Sequence, residues 1–175
     1  MLGGSARPPR TYADWLPVLD RFANGDDDAL NDLALGEVPW TSGVAQRWTN
    51  QVVLALDTRL RALSDFLQKS LQRATSHDDQ ARALIAARRR LGVLHAFASL
   101  DCIPSEVQAQ LAARIEGWRT STQNALEKSA QAVRNDDGRM LKVLRENTLV
   151  RVTGEPTPHV PEPNRDGGRG RRILF

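Results

Sequence analysis

Residues 42–76 read SGVAQRWTNQVVLALDTRLRALSDFLQKSLQRATS, and this stretch decides the fold. Its apolar residues recur every three or four positions, with a mean spacing of about 3.7 residues, which is the period of a helix and not of a strand. The series is Trp48, Val52, Leu56, Leu60, Leu63, Leu67, Leu71 and Ala74. A single helix over this stretch would be ~50 Å long. It would therefore need other helices to cover its apolar side along that whole length.

Two segments further along the chain supply that cover. Residues 80–100 and 105–134 both carry core-type residues at spacings of three and four, and Pro104 separates them because proline disrupts a helix interior. We therefore predict an all-α fold, an elongated antiparallel three-helix bundle built on residues 42–76 and these two segments. In the last segment the series expected to face the core is Val107, Leu111, Ile115, Trp118, Thr122, Leu126, Ser129 and Val133.

The segment before the long helices predicts a short helical cap over residues 11–36. Thr11 and Asp14 have the spacing of a capping box, in which the hydroxyl and the carboxylate each bond a backbone N–H at a helix start. Pro17 then lacks the N–H that a helix interior needs. We therefore expect a turn at 12–16 followed by a short helix at 17–23.

Three shorter features complete the secondary-structure prediction. The acidic run at 26–28 places negative charge at the start of a second short helix, 28–35, where the helix dipole favours it. The run at 77–79, His-Asp-Asp, interrupts the apolar pattern and predicts a turn between two long helices. Apolar residues near 140–144 indicate a last helix at 139–147.

The chain is expected to form one helical-bundle domain, residues 11–150. Residues 1–10 hold two glycines and two prolines and are expected to be disordered. Residues 151–175 are rich in proline, glycine and arginine and predict a flexible tail. No apolar stretch approaches the ~20 residues that cross a bilayer, and residues 1–10 have no apolar core of a secretory signal. A chain with one cysteine forms no intrachain disulfide, so we expect a cytoplasmic protein with no membrane partner.

The sequence offers no pattern typical of a catalytic or metal site. Its three histidines, His77, His95 and His159, have no second histidine or cysteine at ligand spacing. No nucleophile motif, phosphate-binding loop or dinucleotide fingerprint occurs. We therefore predict that the protein is not an enzyme and holds no cofactor and no metal.

The charge distribution keeps a nucleic-acid alternative open. The formal net charge is +3 and the pI is near 9.6, which suits a polyanionic partner. Arginine outnumbers lysine 21 to 3, however, which also fits a composition bias. The candidate phosphate-binding residues are Arg82, Arg88, Arg89 and Arg90 on a helix and Arg169, Arg171 and Arg172 in the tail. Alternatively, Arg88 and Arg90 lay their stems on apolar surface and pair with acids on neighbouring helices.

The tail ends on Ile173, Leu174 and Phe175 after a polar stretch. These three residues predict a docking peptide that inserts into a partner's groove, or one that folds back onto the bundle.

We therefore predict a non-enzymatic protein-interaction subunit, adaptor or structural, of a larger cytoplasmic complex. The alternative is a nucleic-acid-binding accessory subunit that uses the basic helical face and tail. A homo-oligomer follows if the apolar stripes are wider than one bundle can bury. Among the tryptophans, Trp48 and Trp118 are expected to anchor the core, while Trp15 and Trp40 seal one end of the bundle.

Overall fold

The computed structural model describes residues 9–36, 42–132 and 138–149. Within these ranges 83% of the residues are helical and no strand occurs, so the predicted all-α class is confirmed. The helices are α1 (Tyr12–Ala23), α2 (Ala29–Leu35), α3 (Ser42–Arg73), α4 (His77–Ala98), α5 (Ser105–Ala132) and α6 (Arg139–Glu146). None of the described helices is long and apolar enough to cross a bilayer.

Helix α1 is one continuous helix, so the predicted turn at 12–16 is wrong. The capping box forms as expected: Asp14 N donates to Thr11 Oγ1 at 3.3 Å and Thr11 N donates to Asp14 Oδ2 at 2.9 Å. Pro17 lies inside the helix and removes one backbone hydrogen bond. The helix persists because it buries large side chains, Trp15 and Phe22 among them, and each contributes roughly 1.5–3 kcal/mol or more.

Helix α4 begins three residues earlier than predicted, so the expected turn at 77–79 is its first turn. Ser76 Oγ accepts a hydrogen bond from Asp79 N at 3.1 Å and donates one to Asp79 Oδ2 at 2.9 Å. This hydrogen bond from Ser76 is the main cause of the lowered pKa of the Asp79 carboxyl. A side-chain cap and acids in the first turn both stabilise a helix start, which is why the polar residues open α4.

The core runs along α3, as the apolar series predicts. Each of α3, α4 and α5 contacts the other two, α1 lies against α3, and α6 contacts α4 and α5. From Trp48 to Leu67 every member of the predicted α3 series is buried, whereas Leu71 is half-buried. The helix therefore loses its cover toward its C-terminal end.

The helical cap closes the other end of the molecule through aromatic contacts. The Trp15 and Trp48 rings meet edge-on with their centroids 5.3 Å apart, and Trp48 Nε1 donates to the Cys102 carbonyl oxygen at 3.0 Å. Phe22 stacks on Phe97 with a centroid distance of 4.2 Å. Trp15 thus seals this end as predicted, while Trp40 lies outside the described residues.

The acidic run at 26–28 pairs mainly with arginines. Asp28 precedes α2 but makes no side-chain capping hydrogen bond. Asp26 accepts from Arg21, 2.6 Å between Oδ2 and Nη2, which lowers the pKa of the Asp26 carboxyl. Asp27 pairs with Arg59 of α3. The Asp27 pair therefore links the helical cap to α3, whereas the Asp26 pair lies within the cap.

Candidate interaction groove

The buried face of α5 departs from the predicted core series after Ile115. Leu111 and Ile115 are fully buried, and the next buried residues are Arg119 and Gln123. Trp118 is only half-buried, so its prediction as a core anchor is wrong. Steps of four residues advance about 40° beyond a full turn. The three steps from Leu111 to Gln123 therefore rotate the buried line of α5 by about 120° around the helix axis.

Arg119 and Gln123 bind the backbone that follows α6. Arg119 Nε donates to the Leu149 carbonyl oxygen, while Leu149 N donates to Gln123 Oε1 at 3.0 Å. Arg119 Nη1 also donates to Glu116 Oε1 at 2.9 Å, and His95 Nε2 lies 3.2 Å from the same oxygen. Arg119 and Gln123, which make the contacts to Leu149, are each less than a tenth exposed. Burying a polar group is costly unless it is hydrogen-bonded. The buried face of α5 at Arg119 and Gln123 therefore depends on the Leu149 backbone to satisfy these two side chains.

The rotation leaves an open groove on the side of α5 that faces α3. Residues of the predicted core series that the rotation displaces, including Thr122, Leu126 and Ser129, line this groove together with Leu67 and Leu71 of α3. Its volume is about 600 Å³, within the range of small-ligand and peptide sites. The described residues that line it are Ser64, Leu67, Gln68, Leu71, Gln72, Gln80, Ser121, Thr122, Ala125, Leu126, Ser129, Ala130 and Met140.

Among the residues that the structure describes, no charged side chain lines the groove, although charged residues make up 26% of the sequence. Leucines and Met140 form the apolar floor, while glutamine, serine and threonine side chains form the polar part. Trp118 lies beside it and donates from Nε1 to Ser64 Oγ at 2.8 Å. Such a surface favours an uncharged, largely apolar occupant, because an ion placed there would lose its hydration without gaining a partner.

Gln80 lines the groove, but its amide oxygen is not accessible from it. Its Oε1 is buried, and no hydrogen-bond donor for it occurs among the described residues. An amide oxygen can accept two hydrogen bonds, and leaving a buried acceptor unpaired is unfavourable.

The predicted phosphate-binding residues of α4 do not share one face. Arg82 and Arg89 are seven residues apart, close to two helical turns, and both are exposed. Arg88 and Arg90 leave the helix about 160° apart. Arg90 lies over the Phe66 ring, with Cζ 3.6 Å from the centroid.

Ion pairs also reduce the basic character of the described surface. Arg82 Nη2 lies 3.2 Å from Asp79 Oδ1, and Arg114 Nη1 lies 3.0 Å from Asp57 Oδ1. The Arg90 contact matches the part of the alternative in which Arg88 and Arg90 lay their stems on apolar surface, whereas the Arg82 and Arg114 pairs involve other arginines. The remaining predicted site residues, Arg169, Arg171, Arg172, Ile173, Leu174 and Phe175, lie outside the described residues.

The described part of the chain contains no group of three or more metal-ligating side chains. Cys102 is buried, and this burial raises the pKa of its thiol to about 12. Since the thiolate is the reactive form, Cys102 is a poor nucleophile near neutral pH.

Comparison with known proteins returned no match among family models, curated sequences or solved structures.

Sequence reasoning placed the groove residues in the core and missed the buried polar pair. The displaced members of the α5 series could have been found from the sequence, because they belong to a stripe that is wider than the neighbouring helices cover. No sequence pattern marks Arg119 and Gln123 as buried, because a polar residue beside an apolar stripe is ordinarily assigned to solvent.

Proposed function

We propose that this chain is a non-enzymatic protein-interaction subunit of a larger cytoplasmic complex. Its long helices would act as an elongated antiparallel three-helix bundle that presents the groove to an apolar segment of a protein partner. One observation carries the proposal: the groove is open between α3, α5 and α6, and its lining, as far as the structure describes it, is largely apolar and uncharged. Grooves between helices commonly receive amphipathic or apolar peptide segments.

A pair of leucine substitutions on α3 tests this proposal. Leu71 lines the groove, whereas Leu54 is 54% exposed and lies outside it. Leu71→Glu places a charge in the groove and is expected to weaken partner capture by about tenfold or more, because a buried leucine contributes roughly 1.5–3 kcal/mol. Leu54→Glu is the matched control and is expected to capture the partner normally.

The measurement is quantitative affinity capture with each full-length variant as bait, after circular dichroism has shown that both retain native helicity. Partners that depend on Leu71 and not on Leu54 support the proposal. Capture that survives Leu71→Glu unchanged contradicts it.

The second candidate function is nucleic-acid binding, and the exposure of Arg82 and Arg89 on one side of α4 favours it. Phosphate contacts make affinity fall steeply with salt. Labelled RNA or DNA is therefore expected to shift at low salt, and an Arg82→Ala/Arg89→Ala double variant to shift less. Unchanged mobility with micromolar protein at low salt would exclude this alternative.

A further inference from the structure

We propose that residues 173–175 of the same chain, Ile-Leu-Phe, occupy the groove intramolecularly and compete there with the protein partner. The inference rests on the proposed function, since it takes the groove as a peptide-binding site. It assigns to that site an occupant that the chain itself carries.

The chemistry of the groove matches this segment. The floor is formed by Leu67, Leu71, Leu126 and Met140, and none of the described lining residues is charged. Ile173, Leu174 and Phe175 form the one run of three consecutive large apolar residues in the sequence outside the described ranges. Burying such side chains on an apolar floor is the main source of peptide affinity in grooves of this kind.

The chain leaves the described structure close to the groove. Leu149 is bound by Arg119 and Gln123 of α5, and the groove lining on the same helix runs from Ser121 to Ala130. Residues 150–172 then connect Leu149 to Ile173, and a segment of that length can span up to about 75 Å when extended. Reach therefore places no limit on intramolecular docking.

Tethering favours the intramolecular occupant over a free peptide. A tethered segment experiences an effective concentration in the millimolar range when its linker can span the distance. A weak peptide affinity is then enough to fill the groove. The polar lining helps, because the side chains of Gln68 and Gln72 can bond the peptide backbone as it loses water.

The test uses a fluorescent peptide with the sequence of residues 165–175, RDGGRGRRILF. Fluorescence anisotropy compares its affinity for the native full-length chain with that for a full-length chain carrying Ile173→Ser, Leu174→Ser and Phe175→Ser. The serine variant is expected to bind the peptide at least about tenfold more tightly, because its groove is no longer occupied. A peptide with the same three serines serves as the negative control and is expected not to bind.

Leucine variants in the serine background locate the binding site. Leu71→Glu is expected to abolish peptide binding, and Leu54→Glu to leave it unchanged. Because the described lining residues are uncharged, binding is also expected to change little as salt rises, in contrast to phosphate binding by the arginines.

Three results would overturn the inference: equal affinity of the native and serine chains, no peptide binding by either, or binding that ignores Leu71→Glu. Light scattering adds a fourth, since an oligomer of the native chain that the serine variant abolishes would place the segment in a second copy. If the peptide does not bind while partner capture still depends on Leu71, the intramolecular docking of residues 173–175 is contradicted and the proposed function is not. If neither depends on Leu71, the proposed function falls with it.

Discussion

Gln123→Leu is expected to release α6 and Leu149 from α5 without unfolding the long helices. The Gln123 side chain is 4% exposed, and its Oε1 accepts the hydrogen bond from Leu149 N at 3.0 Å. Leucine has a similar size and helix propensity, so packing changes little. The substitution removes the acceptor while the Leu149 amide, in a residue that is 0% exposed, stays buried.

The magnitude follows from that unpaired donor. A buried N–H without a partner costs about 1–3 kcal/mol. The loss of the Gln123 Nε2 bond to Glu127, 2.7 Å long, adds little, because Glu127 is only partly buried and water replaces the contact. The segment from Arg139 to Leu149 can expose this N–H to water by detaching from α5. Most of the lost free energy should therefore appear as local opening of this segment and not as global unfolding.

Hydrogen–deuterium exchange measures the effect. Amide protection over residues 139–149 is expected to fall roughly 5- to 150-fold, the equivalent of 1–3 kcal/mol, while protection in the middle of α3 changes little. Gln110→Leu, the same substitution at an exposed position of α5, is the matched control and should leave exchange unchanged. Undiminished protection at Leu149 in Gln123→Leu would refute the role given to this hydrogen bond.

Three further predictions concern stability. Gly36→Ala should lower the free energy of unfolding by about 1–3 kcal/mol or more, because a Cβ there would overlap the ring of the buried Trp15; urea unfolding checks this, and no destabilisation would contradict it. Gly117→Ala, with open space around the Cβ on α5, should instead raise stability by roughly 0.5–1 kcal/mol. Since burial raises the pKa of the Cys102 thiol from 9.0 to about 12, the unfolded chain ionises first as the pH rises. The contribution of this thiol should be complete below about pH 9 and decline toward pH 12, and unfolding of Cys102→Ala across that range should lack this decline.

The long helices were predictable because one physical effect dominates them. The α3 series from Trp48 to Leu67 is buried as its spacing predicts, since an apolar stripe at helical period has one way to leave water. The start of α1 was not predictable in the same way. A penalty at Pro17 competes there with the burial of Trp15 and Phe22, and the sequence pattern reveals the penalty but not the extent of burial.

The α5 series shows which part of the candidate site could not be predicted from the sequence. Thr122 and Leu126 have the correct spacing for the core, yet they line the groove. The choice depends on whether α5 buries them against α3 or buries Gln123 against the Leu149 backbone. That contact joins positions distant in sequence and involves backbone groups, which leave no trace in a hydrophobic pattern.

The groove and the polar anchor are therefore two consequences of one rotation of α5. Had the helix continued to bury the predicted series, Leu126 would cover Leu71, and the polar anchor to Leu149 would have no place in the core. Because Arg119 and Gln123 take the buried face, the apolar stripe of α3 stays open at its C-terminal end, and the chain leaving α6 is fixed beside that opening. Substitutions that loosen the anchor should accordingly change occupancy of the groove even though they touch none of its lining. Measuring peptide affinity in Gln123→Leu would detect this coupling, and an unaltered affinity would show that the anchor and the groove act independently.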